Sequence, residues 1–323
     1  MTILWLIIGL ALLLAGSNLL VDTSVVIARK LGVSDFVIGA TIVGVGTSAP
    51  ELYVSVCSAL QGMGDVAIGN VLGSNICNTL LILGATAVVL PIPFTRSNLR
   101  YDVTANIGAS ILLVVISYGT MYLLGTTNST VNRFGGAILI LCLIFYLWHT
   151  FKNEKSSNNN VEQGADGWLS RIPFWCVCVL ALLALTTLIG GGNLFLNSAV
   201  TLAHDIGISE FAISVTVIAV GTSLPELTTC VIAAMRGNTA LALGNILGSN
   251  LFNILFILGV SSVISPIEGA GVGVIDYSMF IGATLLVGLS AFTGKKSQID
   301  RWEGAVAIVL YFAYTTILLY RGS

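Results

Sequence analysis

Apolar residues run along this chain in long blocks separated by short polar breaks. The blocks fall at about 1–28, 35–60, 66–90, 103–124, 131–151, 173–200, 208–235, 240–265, 273–292 and 302–320. About 20 consecutive apolar residues are needed to cross the hydrocarbon core of a bilayer as a helix, so each block predicts one transmembrane helix. The expected fold is an all-α integral membrane protein of ten transmembrane helices. The opening MTILWLIIGLALLLAG lacks a basic n-region and its apolar character continues past Val25, so it reads as the first span rather than a leader. The one long polar stretch, KNEKSSNNNVEQGADGWLSR, is low in complexity and too short to fold alone. It makes 152–172 a linker between two five-helix halves, 1–151 and 173–323.

Composition agrees and narrows the function classes. Of 323 residues 56% are apolar and 9% charged, against about 25% charged in soluble domains, and the mean hydropathy is +0.97. Little chain remains for an extramembrane catalytic or regulatory domain. The 13 basic residues are scattered and the net charge is −2, which gives no nucleic-acid groove. The six cysteines (Cys57, Cys77, Cys142, Cys176, Cys178, Cys230) lie in apolar stretches, where no disulfide is expected.

Basic residues in short loops collect on the cytoplasmic side. With the N-terminus outside, Arg29, Lys30, Arg96, Arg100, Lys152, Lys155, Arg171, Arg236, Lys295, Lys296 and Arg301 are cytoplasmic and only Arg133 and Arg321 are external. This split places the linker in the cytoplasm and both termini outside.

The halves repeat. Residues 32–84 align without a gap on 207–259, with 27 of 53 positions identical, far beyond what shared apolar composition produces. Five is an odd number of crossings, so the second copy is inverted with respect to the first. Inverted repeats are a transporter architecture with the substrate site near the midplane.

Each repeat carries GTSxPEL (46–52 and 221–227) and GNxLGSNxxN (69–78 and 244–253). Glu51 and Glu226 are the only carboxylates well inside apolar spans. Burying such a charge costs on the order of 3 kcal/mol or more, and no lysine or arginine lies at that depth, so a bound cation or proton is the expected partner. Pro50 and Pro225 interrupt helices 2 and 7 and free carbonyls in 44–47 and 219–222. Thr47, Ser48, Thr222 and Ser223 add hydroxyls one turn from each carboxylate. Ser74 with Asn78, and Ser249 with Asn253, are spaced i and i+4 on one helix face. Oxygen-only ligation suits hard cations such as calcium and sodium.

These two motif pairs, in inverted halves that span the chain, resemble the α-repeats of the sodium/calcium exchanger (calcium/cation antiporter) family, in its prokaryotic form. The resemblance implies that helices 2, 3, 7 and 8 form the site. It also implies ion ligands at Thr47, Ser48, Glu51, Ser74 and Asn78 and at Thr222, Ser223, Glu226, Ser249 and Asn253, with backbone oxygens from Gly44 and Ala219. Several archaeal and potassium-dependent members of the family that the chain resembles carry aspartate at the position of Asn253. The calcium-sensing domains of animal exchangers are absent from the pattern.

The function expected is an antiporter, not an enzyme, exchanging Ca2+ for Na+ across the cytoplasmic membrane by alternating access, with no cofactor and no obligatory protein partner. A Ca2+/H+ antiporter is the alternative, since protons also discharge glutamates. A cation channel uses similar oxygens but commonly in a ring of symmetric subunits. An intramembrane hydrolase built on Ser48 or Ser223 needs a base that His149 and His204, at loop edges, do not supply. Asn70, Asn75, Asn245 and Asn250 are either ligands or interhelical hydrogen bonders. Gly190 to Gly192 are expected to serve close helix packing, with a hinge in helix 6 as the alternative, and Asp22, Asp65, Asp102 and Asp276 to meet water at helix ends.

Overall fold

A computed structural model of the chain describes residues 2–95, 97–124, 129–153, 168–205, 221–269, 272–293 and 297–322. A helix stands at each of the ten expected places. They are α1 (Thr2–Leu31), α2 (Asp35–Thr47 followed by Ala49–Leu60), α3 (Gly64–Val89), α4 (Asn98–Val103 continuing as Thr104–Leu124) and α5 (Arg133–Asn153). The second half has α6 (Phe174–Asp205), α7 (Leu224–Met235), α8 (Thr239–Ile264), α9 (Val274–Thr293) and α10 (Arg301–Gly322). The first part of the seventh expected span, 208–220, lies outside the described residues, as do 154–167 of the linker.

Local chemistry sets the breaks. Ser34 caps α2 by accepting a hydrogen bond from the Val37 N–H at 3.3 Å. Gly62 and Gly237 occupy repeat-related turns, α2 to α3 and α7 to α8, with φ of +73° and +78°, a conformation in which a Cβ is strained. Within α2 the helix stops at Thr47 and restarts at Ala49 with a bend of 48°. Pro50 stands in the first turn of the new segment, where its missing N–H costs nothing. Pro225 opens α7 in the same way.

Two small antiparallel ribbons test the crossing parity. Ile92 and Pro93, after α3, pair with Ile299 and Gln298, before α10. Ser129, Thr130 and Val131, before α5, pair with Gly269, Glu268 and Ile267, after α8. The connection 3–4 therefore shares a membrane face with 9–10, and 4–5 shares the other with 8–9. Helices that alternate in direction through ten crossings give these two pairings. The ribbons also exchange equivalent connections between the repeats, as an inverted pseudo-two-fold demands.

Burial places the centre. Of the apolar stretches of α3 and α8, 78% and 83% of residues are buried, against 28% in α1, α5, α6 and α10. The peripheral pair α1 and α6 cross closely: a Cβ on Gly191 would come within 2.7 Å of the Leu13 nitrogen and the Leu12 Cβ. This is the close packing expected of the 190–192 run, carried by its middle glycine.

Candidate cation site

The break in α2 sets Glu51 in the first turn of a fresh helical segment, and α7 does the same for Glu226. The partial positive charge of a helix N-terminus favours an anion there. Both glutamates are 1% exposed and lie within electrostatic reach of one another. The repeats cross over at this point. Ser48 Oγ donates to Glu226 Oε1 at 3.2 Å, and Ser223 faces Glu51 from the opposite repeat.

The remaining acceptors are unpaired. Glu51 Oε2, Glu226 Oε2, Asn78 Oδ1, Asn253 Oδ1 and Ser223 Oγ are buried and have no hydrogen-bond partner among the described residues. Leaving one buried polar atom unsatisfied costs about 1–3 kcal/mol, more when charged. A cation is a chemically fitting partner for the unpaired carboxylate oxygens. No cationic side chain among the described residues is that partner: the one ion pair there, Arg236 with Asp22, joins the end of α7 to α1 and is partly exposed.

The other expected residues sort as follows. Thr47 is fully buried and donates to the Val43 carbonyl at 3.1 Å, with Asn245 Oδ1 at 3.3 Å. Ser249 Oγ donates to the Gly44 carbonyl at 3.3 Å, and Ser48 N–H donates to the same oxygen at 3.2 Å, so that carbonyl is not simply free. Ser74 is buried on α3, and Thr222 is partly exposed. Ala219 lies outside the described residues. Three of the four additional asparagines are interhelical hydrogen bonders. Asn70 donates to the Glu51 carbonyl and to Ser55 Oγ at 2.8 Å, Asn245 to Cys230 Sγ at 3.1 Å, and Asn250 to Thr79 Oγ1 at 2.9 Å. Asn75 bonds its own helix at Val71. All six cysteines are free.

Two features escaped the sequence reading. Asn78 and Asn253 lie in repeat-related π-turns, Cys77–Ile82 and Phe252–Ile257, a widened turn that is frequent at functional sites. Asp102 and Asp276 do not meet water: both are buried, and each accepts a hydrogen bond at 3.1 Å, from the Tyr146 hydroxyl and the Tyr314 hydroxyl respectively. Their partners lie 44 and 38 residues away, beyond any local pattern. Asp22 remains partly exposed, but it meets Arg236.

The model of the family described as sodium/calcium exchanger protein matches residues 1–152 and 177–320. The chain belongs to the sodium/calcium exchanger family. It is 36% identical over 320 residues to the putative antiporter CaxA of Alkalimonas amylolytica, covering 98% of both chains. It is 30% identical over 352 residues to the sodium/calcium exchanger MaX1 of Methanosarcina acetivorans, with 98% of this chain and 97% of the relative covered. The solved structure of the sodium-calcium exchanger NCX_Mj superimposes with a TM-score of 0.81 at 31% identity, over 97% of this chain and 98% of that one. The chain is thus a multi-pass membrane protein of an exchanger family, a class of transporters rather than enzymes in the usual sense.

Proposed function

We propose that this family member exchanges Ca2+ for Na+ across the cytoplasmic membrane, with both ions as substrates and no resident cofactor. The observation that carries the reading is the pair Glu51 and Glu226, each with an unpaired carboxylate oxygen in a buried cluster of neutral oxygens. Two ionised carboxylates in a site of low dielectric repel. One Ca2+ or several Na+ relieves the repulsion through the same oxygens, so the ions compete. Competition at a site open to one side at a time is exchange. The proposed ligands are Glu51, Thr47, Ser48, Ser74 and Asn78 with Glu226, Thr222, Ser223, Ser249 and Asn253, and the backbone oxygens of Gly44 and Ala219. The family resemblance implies that the access switch is a rocking or sliding of α1 and α6 against the bundle of α2, α3, α7 and α8, in two inverted halves, 1–151 and 173–323, joined by the 152–172 linker.

Calcium-45 uptake into vesicles under separately imposed sodium, proton and potassium gradients tests the reading. An outwardly directed gradient of Na+ inside the vesicles drives uptake. Uptake that follows the proton gradient and ignores sodium contradicts it in favour of a Ca2+/H+ antiporter.

The same assay tests Asn253. The site holds a formal charge of −2 from its glutamates, which one Ca2+ balances, and Asn253 adds an oxygen without charge. Sodium-driven uptake is therefore expected without potassium on either side, and Asn253→Asp is expected to raise sensitivity to protons or monovalent cations. Loss of wild-type uptake on potassium withdrawal contradicts the charge argument.

The proposed orientation has the linker in the cytoplasm and the termini outside, in the inner membrane. Cysteines placed at Ser157 and Ser323 check it in whole cells, on a background lacking the native thiols. An impermeant maleimide is expected to label position 323 and to spare position 157, and labelling of 157 from outside overturns the orientation.

A further inference from the structure

The inverted halves differ where their outer helices meet the site bundle. α1 is fastened to α7 by side-chain bonds along its second half. Ser17 Oγ, fully buried, donates to Thr228 Oγ1 at 2.7 Å. Further along, the Arg236 guanidinium donates to Asn18 Oδ1 and forms the ion pair with Asp22. Thr228 stands two residues beyond Glu226, and Arg236 ends α7. α1 therefore lies along α7 from the carboxylate to the turn into α8.

The other half offers no such fastening. The offset that lays 32–84 on 207–259 also lays GSNLLVDTSV (16–25) on GGNLFLNSAV (191–200). The counterparts of Ser17, Asn18 and Asp22 are thus Gly192, Asn193 and Asn197 on α6, and those of Thr228 and Arg236 are Tyr53 and Gln61 on and just after α2. Among the described residues, the side-chain hydrogen bonds of α6, from Thr186, Thr187, Ser198 and Thr201, all go to carbonyls of α6 itself. Asn193, Asn197 and Gln61 are exposed, and so is Tyr53.

The difference is written in the residue types. Gly192 has no hydroxyl to offer, and a contact between Asn197 and Gln61 carries no charge, whereas charge-assisted hydrogen bonds are roughly twice as strong as neutral ones. The two states of an inverted-repeat carrier exchange the conformations of its halves, so identical halves would make both states equal in energy. Contacts that only one half can make tip that equilibrium. We propose that Ser17 with Thr228, and Asn18 and Asp22 with Arg236, form a latch that biases the chain towards the state in which α1 shuts the route between Glu226 and the α7–α8 turn. That turn is cytoplasmic in the proposed orientation, so the favoured state is the one open to the outside. This last consequence rests on the exchange reading; the latch itself does not depend on which ions are carried.

Electron–electron double resonance between nitroxides at Ile7→Cys and Met235→Cys, on a background lacking the native thiols, tests it in the reconstituted full chain. Both positions are exposed. Ile7 stands fifteen residues before Asp22 on α1, roughly 22 Å at a helical rise, so a shift of α1 along α7 changes the measured distance directly. Asp22→Asn combined with Arg236→Gln gives this end the residue types of Asn197 and Gln61. The population at the latched distance, relative to the shifted one, is expected to fall about fivefold, the upper range for a partly exposed ion pair. Asp22→Arg combined with Arg236→Asp restores the pair with its charges exchanged and is expected to recover most of that loss. An unchanged distance distribution in the neutral variant overturns the latch, and so does an exchanged variant that behaves like the neutral one. The distances need no ion gradient: a population shift in a chain without sodium-driven calcium uptake upholds the latch and contradicts the exchange reading alone.

Discussion

Glu51→Gln and Glu226→Gln each reduce sodium-driven calcium uptake to background, a fall on the order of 100-fold or more. The dication meets two carboxylates in a buried site, and either change removes half of the site's charge. Glutamine also turns an N–H2 donor towards the position that the cation occupies. A 100-fold loss corresponds to about 2.8 kcal/mol, modest against the attraction between a dication and one buried carboxylate. Glutamine conserves volume, and the neighbouring serines can still bond its oxygen, so insertion and folding are expected to persist. Calcium-45 uptake at matched expression checks this, and near-normal exchange in either variant contradicts the site. Ser48→Ala, which removes one 3.2 Å hydrogen bond to Glu226, has a smaller effect.

The second large effect is structural. Gly248→Ala places a methyl group inside the contact distance of the Ala40 carbonyl and 2.5 Å from the Ala40 Cα. These are backbone atoms of the first segment of α2, which cannot rotate away as a side-chain tip can. Overpacking of this kind costs about 1–3 kcal/mol or more, and the relief available is to separate α8 from α2. That separation breaks the Ser249 to Gly44 and Thr47 to Asn245 contacts, at 3.3 Å each. Lower thermal stability in detergent together with loss of transport is the expected result. An unchanged unfolding temperature with full activity would show that the α2–α8 crossing is looser than these distances state.

The placement of the spans, the inverted repeat and both carboxylates were legible in the sequence, because each is written either in twenty-residue apolar blocks or in strings that occur twice. Duplication is what separated Ser48 and Ser223 from the many serines that merely bond their own helix. What the sequence hid were partnerships across helices. Apolar periodicity reports that a position is buried, not which side chain it meets, so the Tyr146–Asp102 and Tyr314–Asp276 pairs had no local sign. The ribbons at 92–93 with 298–299 and at 129–131 with 267–269 are too short to show an alternating pattern. The π-turns around Asn78 and Asn253, in CNTLLI and FNILFI, contain no glycine or proline that would signal a widened turn.

The central claim is that the Glu51 and Glu226 carboxylates jointly hold one Ca2+ that Na+ displaces. Equilibrium calcium-45 binding to the purified protein, with sodium titrated at constant ionic strength by replacing choline, measures this without reference to gradients or direction. One Ca2+ per chain, displaced by sodium with a steepness above one and absent from both glutamine variants, is the predicted result. Calcium binding that sodium does not displace, or that survives in Glu51→Gln and Glu226→Gln, contradicts it.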